Sequence, residues 1–211
     1  MAESSLETKT KILESAKKEF LDKGFMNASL RTIAANAGLT TGAMYRHFKD
    51  KDALFCALVD EAIEETKKAV MMADAVIHSK MPHPASQEHY EEEQKTEKEL
   101  LDYIYKNFDA FELLLTKSAG STHEHFLDEI CNLYTKNCTE TFLWLYEQKI
   151  CSKKIDKMTV HIIASSLINS FAEIILHKMK RKDAESFIDN IHEFFHYGCM
   201  HMAGLSCTDN Q

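Results

Sequence analysis

Two prolines, six glycines and a single tryptophan occur among 211 residues. So little proline and glycine leaves few sites for the tight corners of a β-rich chain, and no strand-like alternation of apolar and polar residues is found. No uninterrupted apolar run approaches the roughly 18 residues of a membrane span, so no membrane partner is expected. The opening residues, 1–9, are polar and lack the apolar segment of a secretory signal, so a cytoplasmic protein is expected. The six cysteines, at 56, 131, 138, 151, 199 and 207, include no Cys-x-x-Cys pair, which argues against zinc-ribbon and thioredoxin-like chemistry. Cys131 and Cys138 share a helix face and read as buried thiols acting as small apolar groups, with a redox pair as the alternative.

What is present is a strongly apolar, helix-forming chain. An apolar share of 45% is ample for a core, in one large domain or two small ones. The net charge of −8 is unevenly spread: residues 1–52 carry nine basic and seven acidic side chains, a net of +2, and the rest carries −10. An acidic chain can still dock on nucleic acid if the docking face is basic.

Helical periodicity predicts about nine helices and an all-α fold. The first covers residues 6–23, with Ile12, Leu13, Ala16, Phe20 and Leu21 as its apolar stripe. The second follows Ser29 and ends near 37, the third covers 41–47, and the fourth starts after Asp50 and runs past 69 toward 78. The two prolines, Pro82 and Pro84, mark the strongest break in the chain. Further helices are expected at 88–108, 111–117, from about 122 to 148, 156–180 and 183–203. The last carries Phe187, Ile191, Phe194, Phe195, Gly198 and Met202 along one broad stripe. Helices apolar over more than one face pack against more than their own domain. The last two helices are therefore expected to form half of a four-helix bundle that a second copy completes.

Residues 30–54 hold the most informative pattern. Leu30, Ile33, Ala34 and Ala37 lie at helical spacing, Gly38 supplies a C-terminal stop, and Thr40 or Thr41 can cap the helix that follows. That brief helix presents Thr41, Gly42, Tyr45, Arg46 and His47 outward, while Met44 and Phe48 share its packing face. The pattern is a helix-turn-helix, whose second helix fits a DNA major groove. Through Gly38, Gly42, Tyr45, Phe48, Lys51 and Leu54, and through the opening helix with its terminal Gly24-Phe25, the chain resembles TetR-family transcriptional regulators. The detailed resemblance covers the first quarter; the remainder resembles the family in length and helical layout.

The resemblance implies a DNA-binding head at 1–52 and an effector-binding and dimerisation domain at 53–211. It implies a homodimer joined through the last two helices, a repressor of a palindromic operator on double-stranded DNA, and release by a small molecule. Tyr45 is implied as a phosphate contact. Lys51, at the start of a helix, suits phosphate as well. Thr41, Gly42 and Arg46 are candidates for base contact, since Arg reads guanine with two hydrogen bonds and Thr can touch a thymine methyl. Thr40 and Ala43 are further DNA-binding candidates, His47 could reach phosphate or base, and Arg31 is a candidate backbone clamp.

The implied effector would lie among Tyr103, Phe108, Phe111, Phe126, Tyr134, Trp144, Met158, His161 and Phe171, whose apolar and aromatic character suits a hydrophobic or aromatic molecule. A core serving a protein partner instead is the rival reading. A third reading comes from His192-Glu193-Phe194-Phe195-His196, which matches the zinc-protease pattern H-E-x-x-H. The longer metzincin spacing fails, since Gly198 and His201 each come one residue early. No enzyme and no cofactor are therefore expected, with a regulatory metal site at His192, His196 and His201 as the remaining use of the motif.

Overall fold

The computed structural model describes residues 2–79 and 83–205. Pro82 and Cys207 lie outside them. Among the described residues the chain is helical without strands: α1 (Ala2–Asn27), α2 (Leu30–Asn36), α3 (Thr41–Met44), α4 (Lys51–Ser79), α5 (Gln87–Lys106), α6 (Phe108–Glu112), α7 (Phe126–Glu147), α8 (Lys157–Leu176) and α9 (Arg181–Ala203), with a π-helical turn, Leu113–Lys117, after α6. The all-α expectation holds. Most bounds differ from the expected ones by a few residues, where helix ends fray or tighten. The regular part of the third helix ends at Met44, three residues before the expected end. Hydrogen bonds from Arg46 N to Ala43 O (3.3 Å), His47 N to Met44 O (2.9 Å) and Phe48 N to Met44 O (3.2 Å) keep the backbone wound beyond it.

The chain forms two compact units, Met1–Glu64 with Asn107–Phe126, and Glu65–Lys106 with Leu127–Gln211. The expected boundary at residue 52 does not coincide with this division. The first turns of α4 and the 107–126 segment complete the core of the first unit.

That core joins Ile12, Ala16 and Phe20 of α1 to Ile33 and Ala34 of α2, Met44, Phe48, and Leu54, Phe55 and Val59 of α4, all buried. Phe55 meets Phe20 and Phe25 edge to face at 5.2 and 5.4 Å between centroids, a geometry that adds to simple burial. Gly24, at φ 73° and ψ 165°, interrupts α1 where the sequence predicts its end. Lys17 Nζ holds Asp109 at 2.7 Å, and Asp52 Oδ1 accepts from Thr122 N at 2.9 Å. Burial raises the Asp52 carboxyl, but the hydroxyl and N–H of Thr122 outweigh it and keep the group below its usual range.

The second unit buries Leu101 and Ile104 of α5, Ile130, Cys131 and Leu145 of α7, Val160, Ala164, Phe171, Ile174 and Ile175 of α8, and Ala184, Ile188 and Met200 of α9. Tyr105 Oη donates to Met179 O at 2.7 Å, and Arg181 pairs with Asp102 and Glu185. No disulfide joins the five described cysteines, and burial pushes the Cys131 thiol up.

Helix α9 buries a face distinct from its expected stripe. Its buried residues are Ala184, Ile188, His192, His196, Met200 and Ala203, whereas Phe194 is 70% exposed and Phe187, Ile191, Phe195 and Met202 are half-buried. Two histidines thus face inward, and within the stripe only Phe194 and Gly198 are exposed. Helix α8 is long and apolar enough to cross a membrane by length and composition. Core helices pass the same test, and six of its residues are buried in the second unit.

Candidate nucleic-acid interface

The geometry of residues 29–53 follows from three polar caps and one glycine. Ser29 Oγ accepts from Thr32 N at 3.3 Å and starts α2. Its own N–H donates to Glu19 Oε1 at 3.1 Å, and the same oxygen accepts from Lys23 Nζ at 2.9 Å. Burial raises the Glu19 carboxyl; the hydrogen bonds from Lys23 and Ser29 prevail and lower it. Ser15 Oγ donates to Ile33 O at 2.9 Å, tying α1 to α2.

Gly38 then adopts φ 73°, which only glycine takes without strain, and Leu39 N donates back to Ala34 O at 2.9 Å. Of the two expected caps, Thr40 acts: its Oγ1 accepts from Ala43 N at 3.2 Å. Asp50 Oδ1 accepts from Ala53 N at 2.7 Å and caps α4. Each cap satisfies N–H groups that a helix start leaves unpaired.

With Met44 and Phe48 buried, the opposite side of the turn faces solvent. Tyr45 is 48% exposed, Arg31, Thr40, Gly42 and Arg46 are exposed, and Thr41, Ala43 and His47 are half-buried. A Cβ on Gly42 would meet nothing within 4 Å, so its role is open access to the backbone rather than internal fit.

Lys51 differs from the expected phosphate contact. Its Nζ donates to Met26 O at 3.0 Å and Ala28 O at 3.4 Å, and sits 4.8 Å from the Phe25 ring centroid. The carbonyls at the end of α1 engage this ammonium, which makes Lys51 a clamp between α1 and α4. The sequence reading missed Lys49, whose side chain is 82% exposed beside the turn. A census of basic residues flanking the third helix would have found it.

The nine effector candidates are divided between the two units. Phe108, Phe111 and Phe126 belong to the first unit, and Tyr103, Tyr134, Trp144, Met158, His161 and Phe171 to the second. Phe111, Phe126 and Phe171 are buried. Trp144 packs on the Leu145, Cys151 and Ala203 cluster. His161 Nδ1 lies 3.2 Å from Thr135 Oγ1. Met158, in the first turn of α8, is 66% exposed, so it does not line that unit's interior. Glu193, the general base a zinc protease would need, is exposed, while His192 and His196 are buried.

Residues 12–58 match the family profile described as bacterial regulatory proteins, tetR family. An HTH-type transcriptional repressor of Mycobacterium tuberculosis is 42% identical over 53 residues, 25% of this chain and 28% of that protein. The HTH-type transcriptional regulator TtgR of Pseudomonas putida is 40% identical over 62 residues, 29% of this chain and 30% of its own. An HTH-type transcriptional regulator of Haemophilus influenzae is 27% identical over 126 residues, 52% of this chain and 54% of that one. The chain thus spans about half or less of the curated relatives it matches. Among solved structures, the TetR-family regulator PfmR from Thermus thermophilus superposes with a TM-score of 0.61 at 19% identity, over 88% of this chain and 97% of that one. NalD, the secondary repressor of the MexAB-OprM multidrug efflux pump in Pseudomonas aeruginosa, gives 0.60 at 20% identity, over 90% and 96%. The fold is shared along nearly the whole length, and the sequence likeness is concentrated in the turn region.

Proposed function

We propose that this chain, which belongs to the tetR family of bacterial regulatory proteins, is a homodimeric transcriptional repressor that binds a palindromic operator and leaves it when a small molecule binds. The observation that carries the reading is the capped turn at 38–48. It buries Met44 and Phe48 while presenting Gly42, Tyr45 and Arg46 to solvent within the segment that matches the family. Arg46 and Thr41 read bases, Tyr45, Arg31 and Lys49 hold phosphates, and Lys51 keeps the start of α4 against the end of α1. Phosphate contacts set register and affinity, and base contacts set sequence.

Dimerisation through α8 and α9 is supported by the apolar side chains they leave exposed: Met158, Ile162 and Leu176 on α8, Phe194 and Tyr197 on α9. Apolar residues gathered on a surface mark an interaction site, and a second copy placed by a two-fold axis buries the same set twice. Two turns so joined enter successive major grooves about 34–36 Å apart. A protein with this role works where the chromosome is, in the cytoplasm. Release requires an effector that binds the two conformations of the dimer with different affinity.

A selection from randomised duplexes with the purified full chain tests the reading. It predicts enrichment of one inverted repeat whose half-sites lie about one helical turn apart. Enrichment of nothing, or of a single unpaired half-site, would refute the dimeric repressor.

A further inference from the structure

Helices α5 and α9 meet across five ionisable residues that DNA binding does not use. His89, Glu93 and Glu97 follow one another at single-turn spacing on α5, and His192 and His196 are one turn apart on α9. Glu93 Oε2 lies 2.8 Å from His196 Nδ1, and its Oε1 lies 3.1 Å from His89 Nε2. Glu97 Oε2 is 3.2 Å from His192 Nδ1. The Tyr90 ring packs edge-on against both α9 imidazoles, at 4.4 and 5.0 Å between centroids. The side chains of His192 and His196 are only 2% and 4% exposed.

We propose that Glu93, His192 and His196 bind one divalent transition-metal ion of the zinc or iron(II) class, with His89 orienting the carboxylate of Glu93 and Glu97 steadying His192.

One ligand atom from each of Glu93, His192 and His196 lies within 4.8 Å of the other two. Tetrahedral zinc holds nitrogen and oxygen ligands at about 2.0–2.1 Å, hence about 3.3 Å from one another. The three atoms therefore lie within about 1.5 Å of that spacing. Two imidazoles and a carboxylate suit zinc or iron(II) rather than the thiolate-seeking copper(I) or the all-oxygen sites of calcium and magnesium. The contact of His89 with Glu93 is the outer support that such ligands ordinarily have.

An ion-pair staple between α5 and α9 would explain the same contacts, but it leaves His192 Nε2 buried without a hydrogen bond. Buried polar atoms without partners are rare and costly. An ion offers His192 the partner that the staple withholds. His201, the third ligand suggested by sequence, is exposed and stands about half a turn around α9 from His192, so Glu93 of α5 takes that place.

The inference stands apart from the DNA-binding reading, and its test uses no DNA. The chelator-stripped full chain is titrated with Zn²⁺ by calorimetry, and with Co²⁺ for its d–d absorption. The expected result is one ion per chain, a raised melting temperature with Zn²⁺, and loss of both signals in Glu93→Gln and in His192→Ala. His89→Gln should weaken binding about tenfold, and His201→Ala should leave it unchanged. Circular dichroism melts check that each variant folds; Glu93→Gln keeps the shape and hydrogen-bonding capacity of the site if His192→Ala does not fold. Absence of saturable uptake, or uptake equal to the parent's in folded Glu93→Gln, would overturn the proposal and leave a hydrogen-bonded staple only.

Discussion

Replacing Lys51 by methionine separates a structural clamp from a phosphate contact. The ammonium makes one good hydrogen bond, to Met26 O at 3.0 Å, and a long one, to Ala28 O at 3.4 Å, and lies over the Phe25 ring. A charge-assisted bond contributes about 1.5–3 kcal/mol; partial exposure puts this one near the lower end, and the longer bond adds little. The contact with the ring adds about 0.5–1 kcal/mol. Methionine keeps most of the apolar stem, so burial changes little, and the net loss is about 2 kcal/mol. For a chain of this length, 1 kcal/mol corresponds to about 2–4 °C, so Lys51→Met should melt about 4–8 °C below the parent. Circular dichroism melts without DNA, at two salt concentrations, give the readout. An unchanged melting temperature, together with weakened DNA binding and a shallower salt slope, would refute the clamp and restore Lys51 as a phosphate contact.

Four further outcomes follow from the same geometry. Gly38→Ala places a side chain at φ 73° with no steric neighbour within 4 Å, so urea titration should show a loss of about 1–2 kcal/mol from backbone strain alone. Glu19→Gln weakens the acceptor shared by Lys23 and Ser29 and should cost about 1–3 kcal/mol at neutral pH. Because the folded Glu19 carboxyl lies below its ordinary 4.5, its contribution is fully present above that value and is lost as pH falls through the lower folded value. Stability curves of parent and variant should therefore converge in acid, and parallel curves would contradict the assignment. Arg46→Ala should cost about 1–3 kcal/mol at one operator position and relax preference there, whereas Lys49→Ala should weaken all duplexes alike, as binding to a panel of singly substituted operators would report. Ile162→Asp with Phe194→Asp should turn the dimer into a folded monomer in analytical ultracentrifugation; a persistent dimer would place the interface elsewhere.

The parts of the fold that sequence revealed are those built from local chemistry. Ser29, Thr40 and Asp50 each cap a helix through the N–H three residues on, and Gly38 ends α2 by its own backbone freedom. Such signals lie within a few residues of one another and can be read directly. What was missed depends on partners far along the chain. Lys51 meets carbonyls more than twenty residues earlier, and the buried face of α9 is set by Glu93 and Glu97, about a hundred residues away. Periodicity marked the aromatic stripe of α9 as a face for a second copy and carried no sign of the histidine face that packs within the chain. Paired histidines win the inner face when carboxylates stand opposite them. The π-helical turn after α6 and the inclusion of 107–126 in the first unit likewise carry no sequence signal short of packing.

Binding of the parent, Tyr45→Ala and Arg46→Ala proteins to the selected operator and to a scrambled duplex, followed by fluorescence anisotropy across a salt series, bears most directly on the central claim. The account predicts tight operator binding with a steep salt slope, much weaker binding to the scrambled duplex, and a loss in both variants without a change in their melting temperatures. Equal affinity for operator and scrambled duplex, or variants that bind as well as the parent, would contradict the exposed face of residues 40–47 as the surface that reads DNA.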